Sequence, residues 1–164
     1  MNDNHLSVFH HHVIDFAKQR GIPIEKALAE TRAMGFDVTI EDFGIGNAPN
    51  GDIAGCVGIL DRVPGLKFTL DTGNFTCFGE SPHDAYPHFR DRIAFVHLKD
   101  HPLGPDGPDP NGAIPVGDGA LDLGRLIRRM LDDGYAGDFA AEHFDFADQE
   151  AAMRRSASFC RHLL

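Results

Sequence analysis

No stretch of this sequence approaches the ~18 to 20 consecutive apolar residues that a membrane-spanning helix needs, so no membrane span is expected. The opening segment, MNDNHLSVFHHH, lacks the basic start and apolar stretch of a secretory signal, which makes a cytoplasmic setting the expectation. Cysteine is scarce. Cys56, Cys77 and Cys160 are far apart and odd in number, which excludes a disulfide framework or a CxxC metal knuckle and leaves ordinary reduced thiols. Basic residues are also in deficit: 15 Lys and Arg face 25 Asp and Glu, for a net charge of −10. A phosphate backbone is bound by clustered cations that displace counterions, so no nucleic-acid partner is expected.

What is present suffices for a packed core. A chain of 164 residues that is 42% hydrophobic reads as one globular domain, residues 1–164. Two short helices are predicted over residues 8–18 and 24–34, broken at Gly21 and Pro23, with Ile24, Leu28 and Thr31 on one face of the second. Gly35 ends that helix, and residues 37–42 (DVTIED) form a short β-branched strand.

The strand and helix pattern then recurs. A Gly/Asn/Pro loop leads to a helix over 52–63 and a strand over 67–71 (KFTLD); a weaker helix over 81–90, with Pro87 inside it, leads to a strand over 93–98 (IAFVHL). An amphipathic helix over 120–131 precedes the strand 138–143 (DFAAEH), and a last helix covers about 148–163. Strands alternating with helices at this spacing imply a parallel sheet. The Pro- and Gly-rich segment 101–119 lies inside this pattern and reads as an active-site loop, not a linker.

Each strand ends in a residue able to bind metal or move a proton: Glu41, Asp71, His97 and Glu142. In a parallel sheet or barrel all C-terminal strand ends face one mouth, so these side chains would converge from distant parts of the chain. Three carboxylates and one imidazole, about −3 in charge, form an oxygen and nitrogen donor set that favours Mn²⁺, with Mg²⁺, Co²⁺ or Zn²⁺ as alternatives. Such a site leaves positions for substrate oxygens, and Glu41 and Glu142 would flank a substrate from two sides, as proton abstraction and return require.

The segments TIEDF, LDTGNF, FVHLKD, VGDGALD and GDFAAEHF, in this order and spacing, resemble the xylose-isomerase-like barrel family of sugar isomerases and epimerases over about Gly35 to Leu164. The resemblance implies an α/β fold, a partial (β/α)₈ TIM barrel of about four parallel βα units from the C-terminal half, because a complete barrel takes ~250 residues. Residues 37–164 would form this half-barrel and 1–36 the N-terminal helices. Residues 5–36 resemble the opening of such proteins, which would place a junction of a truncated or internally deleted relative near Met34, Gly35 and Phe36.

The resemblance further implies metal ligation by Glu41, Asp71, His97 and Glu142, acid/base roles for Glu41 and Glu142, and a substrate position for Lys99. Where several epimerases carry a histidine three residues after the strand-six aspartate, Asn74 stands here, so a histidine role is absent and Asn74 takes the substrate-side position. The implied activity is metal-dependent proton transfer beside the carbonyl of a small sugar or polyol. The alternatives are an inosose dehydratase-like lyase on the same site and a truncated, non-catalytic remnant. Four strands cannot close a barrel, so a homodimer that covers the open half is expected, or the N-terminal helices folded over it.

Other signals carry less. His10, His11 and His12 point in different directions on a helix and cannot easily share one ion. Gly117-Asp118-Gly119 lacks the rest of a phosphate loop and reads as a turn. His83, His88, His101 and His162 have no partner at ligand spacing, and strand alternation turns His143 away from Glu142. Ser81 and Cys77 lack a base partner, which disfavours nucleophilic hydrolysis.

Overall fold

Side-chain alternation in two central strands organises the molecule. In the computed structural model, which describes residues 8, 10–144 and 147–164 (without the side chains of His10 and His11), β2 (Lys67–Asp71) and β3 (Ile93–Lys99) lie at the centre of a parallel sheet. β1 (Thr39–Glu41) pairs with β2, and the C-terminal strand β6 (Asp138–Glu142) pairs with β3, giving the order β1-β2-β3-β6. The connections run through α3 (Ile53–Arg62), through a 3₁₀ turn (Asn74–Phe78) with α4 (Pro82–Phe89), and through α5 (Leu123–Asp132). The arrangement is half of a (β/α)₈ barrel.

On the outer face, Phe68 and Leu70 of β2 and Val96 and Leu98 of β3 are buried with Cys56 and Leu60 of α3, Tyr86 and Phe89 of α4, and Leu126, Ile127 and Met130 of α5. Phe68 stacks on Phe89 with ring centroids 4.2 Å apart, and Phe75 lies 5.9 Å from Phe89. Each such burial stabilises the fold by about 1.5–3 kcal/mol. The intervening residues Asp71, His97 and Lys99 fall on the other face, the inside of the half-barrel. Side-chain caps start α3, α4 and the C-terminal helix: Asp52 accepts from the Gly55 N–H at 2.7 Å, Ser81 from the His83 N–H at 3.0 Å and Asp148 from the Ala151 N–H at 2.9 Å.

Several boundaries differ from the sequence expectation. α1 (His10–Arg20) and α2 (Ile24–Ala33) form a helical pair, with Val13, Ala17 and Ala27 as its buried centre. Ala27 and Thr31 make the buried stripe of α2, whereas Ile24 is exposed. The proposed N-terminal likeness over 5–36 begins outside the described residues. The strand expected over 37–42 narrows to β1, and just past its end the Asp42 side chain turns in to accept the Asp71 N–H at 2.8 Å.

α5 begins at Leu123, not Ala120. The Ala120 N–H goes to the His101 carbonyl at 2.9 Å, the Leu121 N–H goes to Asp100 at 3.3 Å, and Asp122 adopts a left-handed φ of 47°. The loop 101–119 contains an unanticipated two-residue hairpin, β4 (Leu103–Gly104) with β5 (Gly107–Pro108). The last helix, α6 (Gln149–Arg161), packs beside β6.

Candidate metal centre

Strand register brings the four strand-end side chains together. Asp71 lies opposite His97, and Glu142 lies opposite Lys99, two residues beyond His97 on the same face. One ligand atom from each of Glu41, Asp71, His97 and Glu142 lies within 4.8 Å of the others. Opposite oxygens around one divalent ion are separated by about 4–5 Å, twice a metal–oxygen distance of about 2.0–2.6 Å, so this donor set fits a single ion.

Nδ1 of His97 donates to Oε1 of Glu41 at 2.7 Å and lies 3.6 Å from Oε2 of Glu142. The Glu41 hydrogen bond raises the His97 pKa above its ordinary value despite partial burial. Lys99 reaches in from β3. Its Nζ is 2.6 Å from Oδ2 of Asp71, 2.9 Å from Oε1 of Glu142 and 3.1 Å from Oδ1 of Asn74, and it lies 5.4 Å from the centre of the Phe144 ring. Burial alone would lower the Lys99 pKa, but Asp71 and Glu142 outweigh it and hold the ammonium charged. Burial pushes the Asp71 carboxyl up against the opposing pull of Lys99 and the Gly73 N–H. A cation is already seated on two of the four candidate ligands, which shows how strongly the cluster demands positive charge.

A buried shell beneath the cluster fixes its side chains. Oδ1 of Asp71 accepts from the N–H groups of Gly73 at 2.8 Å and Asn74 at 3.1 Å. Gly73 is required by close approach: a Cβ there would sit 2.6 Å from the His101 ring and 2.7 Å from the Lys99 side chain. Asn74 donates to the Asp42 carbonyl at 2.8 Å, and Asn50 donates to the Glu41 carbonyl at 2.7 Å.

Asp42 is fully buried, and its Oδ2 has no hydrogen-bond partner among the described residues. Burial and then the Asp71 charge push its pKa well above the ordinary value, which favours the neutral acid. The acidic pair in TIED was a signal for this residue, since alternation sends two adjacent acids to different faces.

A second buried carboxylate organises the loop after β3. Oδ1 of Asp100 accepts from the N–H groups of His101 at 3.0 Å and Leu121 at 3.3 Å, while Oδ2 accepts from Gly117 at 3.0 Å and Gly119 at 3.1 Å. The Gly117-Asp118-Gly119 turn is therefore an anion cradle, and the anion is the protein's own Asp100. A Cβ at Gly119 would lie 2.2 Å from that carboxylate. His101, which had no partner at ligand spacing in sequence, is buried and bridges the carbonyls of Gly73 and Gly112. His143 pairs with Gln149 at 3.0 Å and takes no part in the four-residue cluster.

Half a parallel barrel with a cation-seeking cluster at its mouth defines a class of fold and site that the comparisons place in a family. The xylose isomerase-like TIM barrel family model matches residues 12–163, and the chain belongs to that family. The match runs through α2 and most of α1 as well as the half-barrel. No curated protein matches the chain in sequence.

Among solved structures, the chain is similar to the IOLI protein with a binding zinc atom (16% identity, TM-score 0.69, 85% of this chain and 53% of that one). It is also similar to L-ribulose 3-epimerase (17%, TM-score 0.68, 85% and 52%). A xylose isomerase-like TIM barrel protein from Mycobacterium smegmatis in complex with magnesium is matched over 99% of this chain and 54% of that one (18%, TM-score 0.65). The chain thus spans about half the length of the structures it matches. Among the described residues no helix is long and apolar enough to cross a membrane.

Proposed function

We propose that this chain carries the metal-dependent proton-transfer half of a sugar isomerase or epimerase, acting beside the carbonyl of a small sugar or polyol. The observation that supports this reading most is the convergence of Glu41, Asp71, His97 and Glu142 within 4.8 Å. These four residues would hold the ion, and Mn²⁺ suits a set of three carboxylates and one imidazole with open positions. When bound, such an ion polarises a carbonyl and stabilises developing negative charge on oxygen.

The proton movements belong to the protein. Glu41 stands on one edge strand and Glu142 on the other. One glutamate, as the carboxylate, takes the proton from the carbon beside the carbonyl, the electron pair moves into the carbonyl to give an enediolate, and the other, protonated beforehand from solvent, gives its proton to carbon and is left as the carboxylate. Lys99 and Asn74, joined at 3.1 Å, lie on the substrate side, where the ammonium would donate to substrate oxygen. A second copy of the chain would cover the open half-barrel.

The test is exchange of carbon-bound hydrogen with D₂O, followed by NMR over a panel of ketoses and inososes with Mn²⁺. Isomerisation or epimerisation yields deuterium at the reacting carbon, and dehydration yields loss of water instead. Glu142→Gln and Glu41→Gln should each lower exchange by about 10²–10⁴-fold. Absence of exchange by the metal-loaded wild-type protein across the panel would remove the catalytic reading.

A further inference from the structure

The inside of the half-barrel and the N-terminal helices together line a cavity of about 1960 Å³, with Thr69, Phe95 and His97 from the strands, Val13 and Leu28 from the helices, and Phe43, Ile45 and Phe144 beyond the strand ends. A small-molecule site occupies about 300–1,000 Å³, so a sugar would leave much of this cavity unfilled. Among the described residues the sheet ends in two strands, β1 and β6, which run in the same direction.

Large apolar side chains stand exposed just beyond the C-terminal ends of both edge strands. Phe43 (48% exposed) and Ile45 (66%) follow β1, and Phe144 (52%) follows β6. All three line the same cavity.

We propose that two copies of this chain close into one eight-stranded parallel barrel, with β6 of each copy set against β1 of the other and Phe144 packed on the partner copy's Phe43 and Ile45. This deepens the reading that a second copy covers the sheet, by naming the edges that meet. A two-fold axis along the barrel axis preserves strand direction, so the β6 edge of one copy meets the β1 edge of the other in parallel at both junctions. A two-fold axis across the strands would reverse direction and place each apolar cluster against the opposite end of the partner.

The occupant follows from amount as well as symmetry. The chain spans about half of each solved relative, and a second copy would add four more strands, as many as an eight-stranded barrel needs. β1 is only three residues long, and its Glu41 carbonyl is already taken by Asn50, so the junction relies on side chains more than on backbone pairing.

Purified chain in about 0.5 M salt, where charge is screened within a few ångströms, should sediment with twice the 18.0 kDa chain mass. Phe144→Glu and Ile45→Glu should each weaken the dimer by at least about tenfold. Met153→Glu, at an exposed position on α6, should leave it intact.

A cross-link fixes the topology even if a charged variant fails to fold. In a Cys77→Ser background, Ile45→Cys and Phe144→Cys proteins mixed together should join through a short bismaleimide, while neither should join to itself. A monomer across the concentration range would overturn both the closure and the covering second copy. A dimer that cross-links like with like would overturn the closure alone.

Discussion

Removing the Lys99 ammonium should unfold the metal-free protein far more readily than removing an ordinary surface charge, and an added divalent ion should reverse most of the loss. Nζ faces Asp71, Glu142 and Asn74 within 3.1 Å, and the Asp71 side chain is wholly buried. In Lys99→Met the chain of β3 still packs, but the Asp71 carboxylate is left buried with Glu142 and Glu41 nearby and no cation. Stranding one member of a buried ion pair costs about 3–5 kcal/mol. For a chain of this size that corresponds to a fall in Tm of roughly 6–20 °C.

The loss should grow with pH. Without Lys99, burial raises the Asp71 pKa with less opposition, so the folded state keeps a proton that the unfolded state has released. Stability is then retained below the unfolded value and declines as pH rises through the folded one. Urea and thermal melts of wild type and Lys99→Met, in EDTA and in saturating Mn²⁺, check both points. A loss below about 1 kcal/mol in EDTA, or one that Mn²⁺ leaves unchanged, would refute the assignment of Lys99 as the resident counter-cation.

Asp42→Asn keeps an acceptor for the Asp71 N–H and removes the titrating group. Because burial raises the Asp42 pKa, the wild type should lose stability relative to the variant as pH rises above the ordinary carboxylate range, seen as diverging Tm curves. His97 shifts in the same sense through Glu41, so metal-free wild type should be stabilised below about pH 6.5 and lose that stability as pH rises through the folded value. Glu41→Gln should flatten this second profile. Asp100→Ala deprives the buried N–H groups of His101 and Leu121 and the more exposed ones of Gly117 and Gly119 of their acceptor, at about 1–3 kcal/mol for each buried group left unsatisfied. Hydrogen exchange should accelerate across residues 101–121 before it does in β2 and β3.

β2 and β6 were legible in KFTLD and DFAAEH as short runs bounded by turn residues and separated by helical segments. The four strand-end side chains could be picked out together, since parallel strands send their C-terminal ends to one mouth. The seating of Lys99 between Asp71 and Glu142 was not legible, because it depends on the register of β2, β3 and β6, which no local pattern encodes.

Asp100 was missed for a related reason. Its partners lie up to 21 residues away in a loop that reads only as rich in proline and glycine. The same tertiary bonds delay the start of α5, where helical periodicity alone extended the helix back to Ala120.

The central claim is that Glu41, Asp71, His97 and Glu142 form one cation site, and titration with Mn²⁺ followed by calorimetry on EDTA-stripped protein tests it most directly. One ion should bind per chain, with affinity reduced by at least about tenfold in Asp71→Asn and in Glu142→Gln. Absence of saturable binding to the wild-type chain, or equal affinity in both variants, would contradict it.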